Sequence, residues 1–449
     1  MSITLHNASI DAVLAEAREA YVAANPRSLA RHVEATAAMP GGNTRTILHF
    51  APFPMAIERA DGCRLWSADG GEYIDFLGEY TAGLYGHAHP VIRAAIDEAL
   101  DRGIGYGAVN MTEARFAAAL AARLPAMERL RFTNSGTEAN VMAIASACAY
   151  TRRRKVMVFD GGYHGGVLGF AGGGSAINVP YDWLVAPYND EDAATALIAE
   201  HGAELAAVIV EPMMGSAGCI PGTPSFLQAL RSATERAATL LICDEVMTSR
   251  LSLHGLAATM DVRPDLMTLG KYLGGGMSFG AFGGKADIMS LFDPRRPDEL
   301  RHAGTFNNNV LTMAAGLAGL THVLTTEAVA ALNARGEALR LRLNALCERA
   351  GAPLQFTGRG SMMAAHFVRG PVRNAADAAR SDPKLMELLF FDLLSRSIWI
   401  ARRGMMSLSL AISDAECDAL AEAVAAFLDE RGPLLARQSG QSSLRAAAM

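Results

Sequence analysis

Short apolar runs separated by helical stretches dominate the middle of the chain. Between about 80 and 330, the runs Leu130–Thr133, Val156–Asp160, Trp183–Ala186, Ala207–Glu211, Leu240–Asp244, Leu266–Leu269 and Ala281–Gly284 have strand length and little polar alternation. Such runs describe strands buried on both faces, and the helical segments between most of them predict a doubly wound, mostly parallel α/β sheet. Residues 8–37 instead carry Ala, Leu, Arg and Glu at helical spacing, a pattern broken by Pro40-Gly41-Gly42-Asn43. From 56 to 77, β-rich segments alternate with Asp-Gly and Gly-Gly turns, predicting a small antiparallel sheet. Beyond 330 the pattern predicts a long helix over 327–350, strands near 362–368 and 405–412, and a helix over 414–431. The resulting division has an N-terminal helix and small-sheet segment (1–79) and a large α/β domain (80–330). A smaller α+β domain (331–436) packs with the N-terminal sheet, and a Ser/Gln/Ala-rich flexible tail (437–449) follows.

Composition narrows the class of protein. With 449 residues, 51% hydrophobic and 19% charged, the chain buries a large core and is not disordered. Forty basic against 46 acidic side chains give a net charge of −6, which points to neither a nucleic-acid nor an anionic-membrane partner. The six cysteines are scattered without a CxxC or Cys/His cluster, so neither a disulfide framework nor a metal site is expected. Met-Ser-Ile-Thr-Leu-His-Asn shows no basic n-region or apolar h-region, and no uncharged apolar run has transmembrane length. The expected compartment is the cytoplasm.

Each chemically promising motif falls at or just after a predicted strand end, where open α/β sheets bind ligands. Asp244 closes the run Leu240–Asp244, and Lys271 lies in Thr-Leu-Gly-Lys-Tyr-Leu-Gly-Gly-Gly, where glycines imply close approach of a flat ligand. An ammonium in that apolar setting loses solvation, which lowers its pKa and favours the nucleophilic neutral amine. A Schiff-base lysine and an acid that keeps a pyridine nitrogen protonated are the two protein groups that pyridoxal phosphate chemistry most needs. Asp244 could otherwise cap the element that follows it. Val246 would share its side of an extended chain, packing on a ring face or filling the core. Ser135-Gly136-Thr137, between a strand and an apolar helix, offers a phosphate its N–H groups, hydroxyls and helix dipole, or forms a plain N-cap. Tyr163, bracketed by glycines in Gly-Gly-Tyr-His-Gly-Gly (161–166), can lie flat on a ring. Glu211 ends another strand, with a loop hydrogen bond as its simpler role. Thr305 supplies a hydroxyl within the turn-forming Gly-Thr-Phe-Asn-Asn-Asn (304–309).

Taken in order, Ser-Gly-Thr-Glu-Ala-Asn, Gly-Gly-Tyr-His-Gly, Glu-Pro, Cys-Asp-Glu-Val, Leu-Gly-Lys and Gly-Thr-Phe resemble the class III aminotransferases of fold type I, over roughly residues 38–430. The resemblance implies pyridoxal 5'-phosphate as cofactor. Lys271 would be its Schiff-base lysine and proton carrier, and Asp244 would face the pyridine nitrogen. Tyr163 and Val246 would sandwich the ring, Ser135, Gly136 and Thr137 would hold the phosphate, and Glu211 belongs to the same cofactor-binding set. Thr305 is implied to reach the phosphate of a neighbouring subunit, hence a homodimer with shared active sites.

Within the family, Met-Pro-Gly-Gly-Asn-Thr-Arg (39–45) and Asp-Glu-Val-Met-Thr-Ser-Arg (244–250) look like glutamate-1-semialdehyde 2,1-aminomutase. Gly-Thr-Phe-Asn-Asn-Asn-Val and Ser249 depart from that pattern. Ala51-Pro52-Phe53-Pro54, Glu79–Gly83, Thr305–Asn309 and Arg403-Gly404 more closely resemble the bacterial β-amino-acid (β-phenylalanine) aminotransferases. That resemblance implies that Arg45 holds the carboxylate of a β-amino acid and Arg403 that of a keto acid, 2-oxoglutarate or pyruvate, with Arg402 the alternative at the second position. Guanidinium forks suit carboxylates because they bind them bidentately. Aminomutase-type intramolecular transfer and an ω-amino-acid or amine transaminase are the alternative activities.

Overall fold

The computed structural model describes residues 9–446, with side chains to 436. All seven apolar runs form strands: β1 (Arg129–Thr133), β2 (Lys155–Phe159), β3 (Asp182–Ala186), β4 (Leu205–Val210), β5 (Leu240–Asp244), β6 (Leu266–Gly270) and β7 (Gly280–Gly284). They build one sheet in the order β1-β7-β6-β5-β4-β2-β3. Only β7 runs against its neighbours; the other adjacent pairs are parallel. β4 to β7 are buried at every residue, which is why their sequences show no polar alternation.

Alternate residues of these strands serve opposite layers. Val156, Val158, Ile209 and Ile242 pack with Ala139, Ala143, Ile144 and Ala147 of the helix Gly136–Thr151. Met157, Phe159, Val208, Leu241 and Cys243 pack with Phe226, Leu227 and Leu230 of the helix Pro224–Arg236. The sheet is therefore covered on both faces, and its open functional edge lies at the carboxyl ends of the parallel strands.

The segments flanking this sheet meet each other. Strands Ile57–Asp61, Arg64–Ser67 and Glu72–Asp75 form the antiparallel sheet expected near the N-terminus, and Ile398–Trp399 adds a fourth strand parallel to Glu72–Asp75. A second antiparallel sheet joins Gln355–Arg359, Met362–His366 and Met405–Ser407. Some elements differ from expectation. The helix read over 8–37 is two, Ile10–Ala24 and Pro26–Thr36, because Pro26 cannot continue the first but is well placed to start the second. The helix Pro383–Ser395 was not legible, since residues 385–394 are buried all round and leave no amphipathic stripe. The last helix, Asp414–Ala446, extends beyond 431. It takes in residues 437–446 of the segment read as a flexible tail; the side chains beyond 436, and residues 447–449, lie outside the described residues. No single helix among the described residues is long and apolar enough to cross a membrane.

Arg250 locks these parts together. It is 1% exposed and donates from Nε to Ser361 Oγ (3.2 Å), from Nη1 to Ser407 Oγ (2.7 Å) and Thr81 O (3.3 Å), and from Nη2 to Leu408 O. All four acceptors are neutral oxygens, and burial lowers its pKa to about 10. Arg250→Met would leave those oxygens unsatisfied. We expect a loss of about 3 kcal/mol or more in urea unfolding; a change below about 1 kcal/mol would show that the clamp is not needed.

Candidate active site

Asp244, the last residue of β5, is 4% exposed. Its Oδ2 accepts from His164 Nδ1 (2.7 Å) and Asn140 Nδ2 (2.8 Å), and its Oδ1 accepts from the Val246 N–H (3.0 Å). A carboxylate has about four acceptor positions, so about one remains, on Oδ1, for a ring N–H. Asn140 is oriented in turn by Thr268, whose hydroxyl donates to Asn140 Oδ1 at 2.6 Å. His164 is also buried. Burial draws its pKa down, but the hydrogen bond to Asp244 and the charges of Asp244 and Glu211 outweigh that and hold it above the ordinary value.

Lys271 follows β6 at φ +55°, a left-handed conformation that a lysine adopts only where its surroundings impose it. Burial lowers its pKa. The carboxylates of Asp244 and Glu211 oppose the shift, and the guanidiniums of Arg45 and Arg403 reinforce it. Among the glycines after it, Gly275 has a packing role. A Cβ on Gly275 would lie 2.6 Å from the Ala315 carbonyl carbon, so that glycine admits the helix Val310–Ala318. The close approach occurs on the other side, where a Cβ on Gly136 or Gly270 would lie 2.8 or 3.1 Å from Val246 Cγ1. Val246 thus sits between the lysine and the start of the helix Gly136–Thr151.

At that helix start the N-cap reading of Ser135 is met. Its Oγ caps the Glu138 N–H (3.1 Å), while the N–H groups of Gly136 and Thr137 have no intrahelical partner and point along the positive dipole end. Thr137 Oγ1 accepts from the Gly166 N–H at 3.2 Å, tying this cup to the loop carrying Tyr163. Glu211 uses its two oxygens on loop backbone, the N–H groups of Tyr163 (3.0 Å) and Gly215 (2.9 Å), and burial raises its pKa to about 7. Tyr163 itself is exposed and forms one wall of a cleft of about 440 Å³ that also touches Phe170, Ala217, Ala375 and Ala378. Neither Lys271 nor Asp244 lines that cleft, so it lies beside the chemistry.

The two candidate arginines approach from outside the large sheet. Arg45 is exposed, and the Arg403 guanidinium lies 5.5 Å from the centre of the Tyr80 ring. Arg403 Nε is buried without a partner, whereas Arg402 forms an ion pair with Glu387 at 2.9 Å. Of the two neighbours, Arg402 is the one committed to an ion pair. Thr305 is exposed, in a turn fastened by Asn134 Nδ2 to Asn307 Oδ1 (3.0 Å) beside Ser135. Sequence reasoning missed Asn140, Thr268, Tyr80 and the role of His164. The first stood inside a quoted motif, but only its contact with Asp244 reveals what it does. The assembled set of a low-pKa amine, a buried acid with one acceptor position left, a helix N-terminus and an apolar floor fits pyridoxal phosphate.

The aminotransferase class-III family model matches residues 49–428. A β-phenylalanine transaminase of Variovorax paradoxus is 55% identical over 432 residues, 96% of this chain and 99% of that protein. The crystal structure of a β-phenylalanine aminotransferase from Variovorax paradoxus superposes with a TM-score of 0.94, covering 95% of this chain and 99% of the other at 55% identity. An ω-transaminase structure from Sphaerobacter thermophilus gives 0.85 at 36% identity, covering 90% and 97%. A glutamate-1-semialdehyde 2,1-aminomutase of Sorangium cellulosum is 39% identical over 83% of this chain and 89% of its own length.

The His164–Asp244 contact has a pH signature. A histidine with a raised folded pKa contributes stability below its unfolded value of about 6.5, and loses it as pH rises through the folded pKa. The stability deficit of His164→Asn relative to the parent is therefore expected to be largest at about pH 6 and to shrink towards about pH 9. Thermal melting across that range checks it; a pH-independent deficit would show that His164 acts only by packing.

Proposed function

The chain belongs to the pyridoxal-phosphate-dependent class III aminotransferases, and we propose that it transfers the amino group of a β-amino acid of the β-phenylalanine type to a 2-keto acid, 2-oxoglutarate or pyruvate. The observation that carries the substrate reading is the pair Arg45 and Arg403, whose charges both act on Lys271 from parts of the chain outside the large sheet. Two guanidiniums within electrostatic range of one amine suit an enzyme that must seat carboxylates of two unlike substrates in turn. The 55% identity to a β-phenylalanine transaminase supports the same choice.

Bound pyridoxal phosphate supplies a carbonyl that takes up the amine and a ring that accepts the electron pair released when the amine-bearing carbon loses its proton. The chain's own groups do the rest. The lowered pKa of Lys271 leaves its Nζ able to take that proton and return it to the neighbouring carbon. Asp244, fixed by His164, Asn140 and the Val246 N–H, would hold the ring-nitrogen proton. Gly136 and Thr137 would receive the phosphate on their N–H groups, with Val246 and Tyr163 against the ring. Arg45 would hold the donor carboxylate and Arg403 that of the acceptor.

The proposal extends to a homodimer in the cytoplasm. Val109, Met111 and Phe306 are 87%, 83% and 67% exposed. Asn110 Nδ2 donates to Asn308 O (3.0 Å) and Asn308 Nδ2 to Ala108 O (3.2 Å), so this surface adjoins the turn bearing Thr305. The proposal is that a partner seated there receives Thr305 at its phosphate site. The free thiols fit a reducing compartment.

Lys271→Ala is expected to abolish turnover. Arg45→Ala and Arg403→Ala should raise KM for carboxylate-bearing substrates about tenfold or more while sparing simple amines; equal loss with all donors would remove the arginines from substrate binding. Turnover of a β-amino acid without added keto acid would favour the aminomutase reading, which the 39% identical relative keeps in view. For the assembly, Met111→Glu is expected to shift the protein from dimer to monomer by sedimentation, and an unchanged dimer would place the interface elsewhere.

A further inference from the structure

Gly78, Glu79, Tyr80 and Thr81 have φ values of +52°, +48°, +53° and +80°. Three successive non-glycine residues in left-handed conformation persist only where surrounding contacts over-determine them, and such runs concentrate at functional sites. Here the contacts are visible. Asp75 Oδ1 accepts from the N–H groups of Leu77 (2.9 Å) and Gly78 (3.0 Å), and its Oδ2 is 2.9 Å from His87 Nε2. Gly78 lies against the Ser407 carbonyl, which a Cβ would approach to 2.6 Å, and Thr81 O accepts from the buried Arg250. The turn is thus clamped at both ends, and what it presents is the Tyr80 side chain.

Tyr80 touches both arginine-bearing segments. Its ring lies under the Arg403 guanidinium, and its hydroxyl donates to the carbonyl of Ile47 (3.1 Å), two residues beyond Arg45. Arg403 has little else to hold it, with Nη2 only 3.4 Å from Met405 Sδ and Nε unpartnered. We infer that Tyr80 is a positioning residue that sets both carboxylate-binding arginines at once, its ring supporting Arg403 and its hydroxyl fixing the segment that carries Arg45. The inference rests on the assignment of those arginines to substrate carboxylates. It assigns the two halves of one side chain to the two halves of the reaction. The phenol oxygen serves the amino donor, and the ring serves the keto-acid acceptor.

The test compares Tyr80→Phe with Tyr80→Leu in the holoenzyme. Tyr80→Phe keeps the ring and should raise KM for the β-amino acid about threefold to tenfold, with the keto-acid KM close to the parent value. Tyr80→Leu should raise both, the keto-acid KM by about tenfold, with kcat at saturation within about twofold and the KM for simple amines unchanged. The affinity of glutarate, an unreactive dicarboxylate, measured by calorimetry, should fall in parallel in Tyr80→Leu. Unchanged KM and glutarate affinity in Tyr80→Leu, or equal loss for simple amines and amino acids, would overturn the inference. Should Tyr80→Leu fail to fold, an unchanged donor KM in Tyr80→Phe overturns it. If Arg45→Ala and Arg403→Ala themselves leave carboxylate substrates unaffected, the substrate assignment fails as a whole. If they weaken those substrates while the Tyr80 variants do not, only the positioning role falls.

Discussion

A buried carboxylate at the end of the central strand β5 sets the terms for the rest of the structure. Left without partners, the Asp244 carboxylate would carry a desolvation cost of several kcal/mol. Its donors come from three places: Asn140 on the helix that opens at Gly136, His164 on the loop after β2, and the backbone of Val246. Thr268 on β6 fixes which way Asn140 faces. This one network therefore joins the helix that presents the phosphate cup, the strand that leads to Lys271 and the loop that bears Tyr163. Gly136 and Asn140 are about one turn apart on the same helix, which ties its N-terminus to the acid.

The charges around Lys271 come in two kinds with different origins. Asp244 and Glu211 belong to strand ends of the large sheet, and they oppose the loss of the ammonium charge. Arg45 and Arg403 belong to the N- and C-terminal segments, and they favour it. Burial decides the sum, leaving the amine lowered. The division has a functional logic. Groups proposed to face the cofactor sit on the rigid sheet, while those proposed to face substrates sit on segments that meet one another through the small sheets, the strained turn at Tyr80 and the clamp of Arg250.

Much of this was legible beforehand. The seven strands of the large sheet match the apolar runs to within two residues at either end, because a strand buried on both faces writes its burial directly into its sequence. The joining of N- and C-terminal segments was also legible in outline, though the strand Ile398–Trp399 that makes the connection is too short to show a pattern. The helix Pro383–Ser395 escaped notice for the opposite reason, being buried on every side, with even Glu387 and Asp392 paired inside the fold. Lys271 and Asp244 stood out because each interrupts an apolar context with a charge. Asn140 did not, since an asparagine in a helix looks the same whether it faces solvent or a carboxylate.

What the sequence by itself determined is the layered architecture, the family and the set of candidate cofactor groups, because these depend on patterns that are local along the chain. Tertiary structure alone decided what each group is paired with. Arg402 and Arg403 are adjacent and identical in type, yet one is committed to Glu387 and the other rests on Tyr80. Gly275, four residues after Lys271, makes room for the helix Val310–Ala318, a neighbour that its own sequence context does not show. A residue's partners lie up to hundreds of positions away, and the desolvation and charge that set its chemistry exist only once the chain has brought them together.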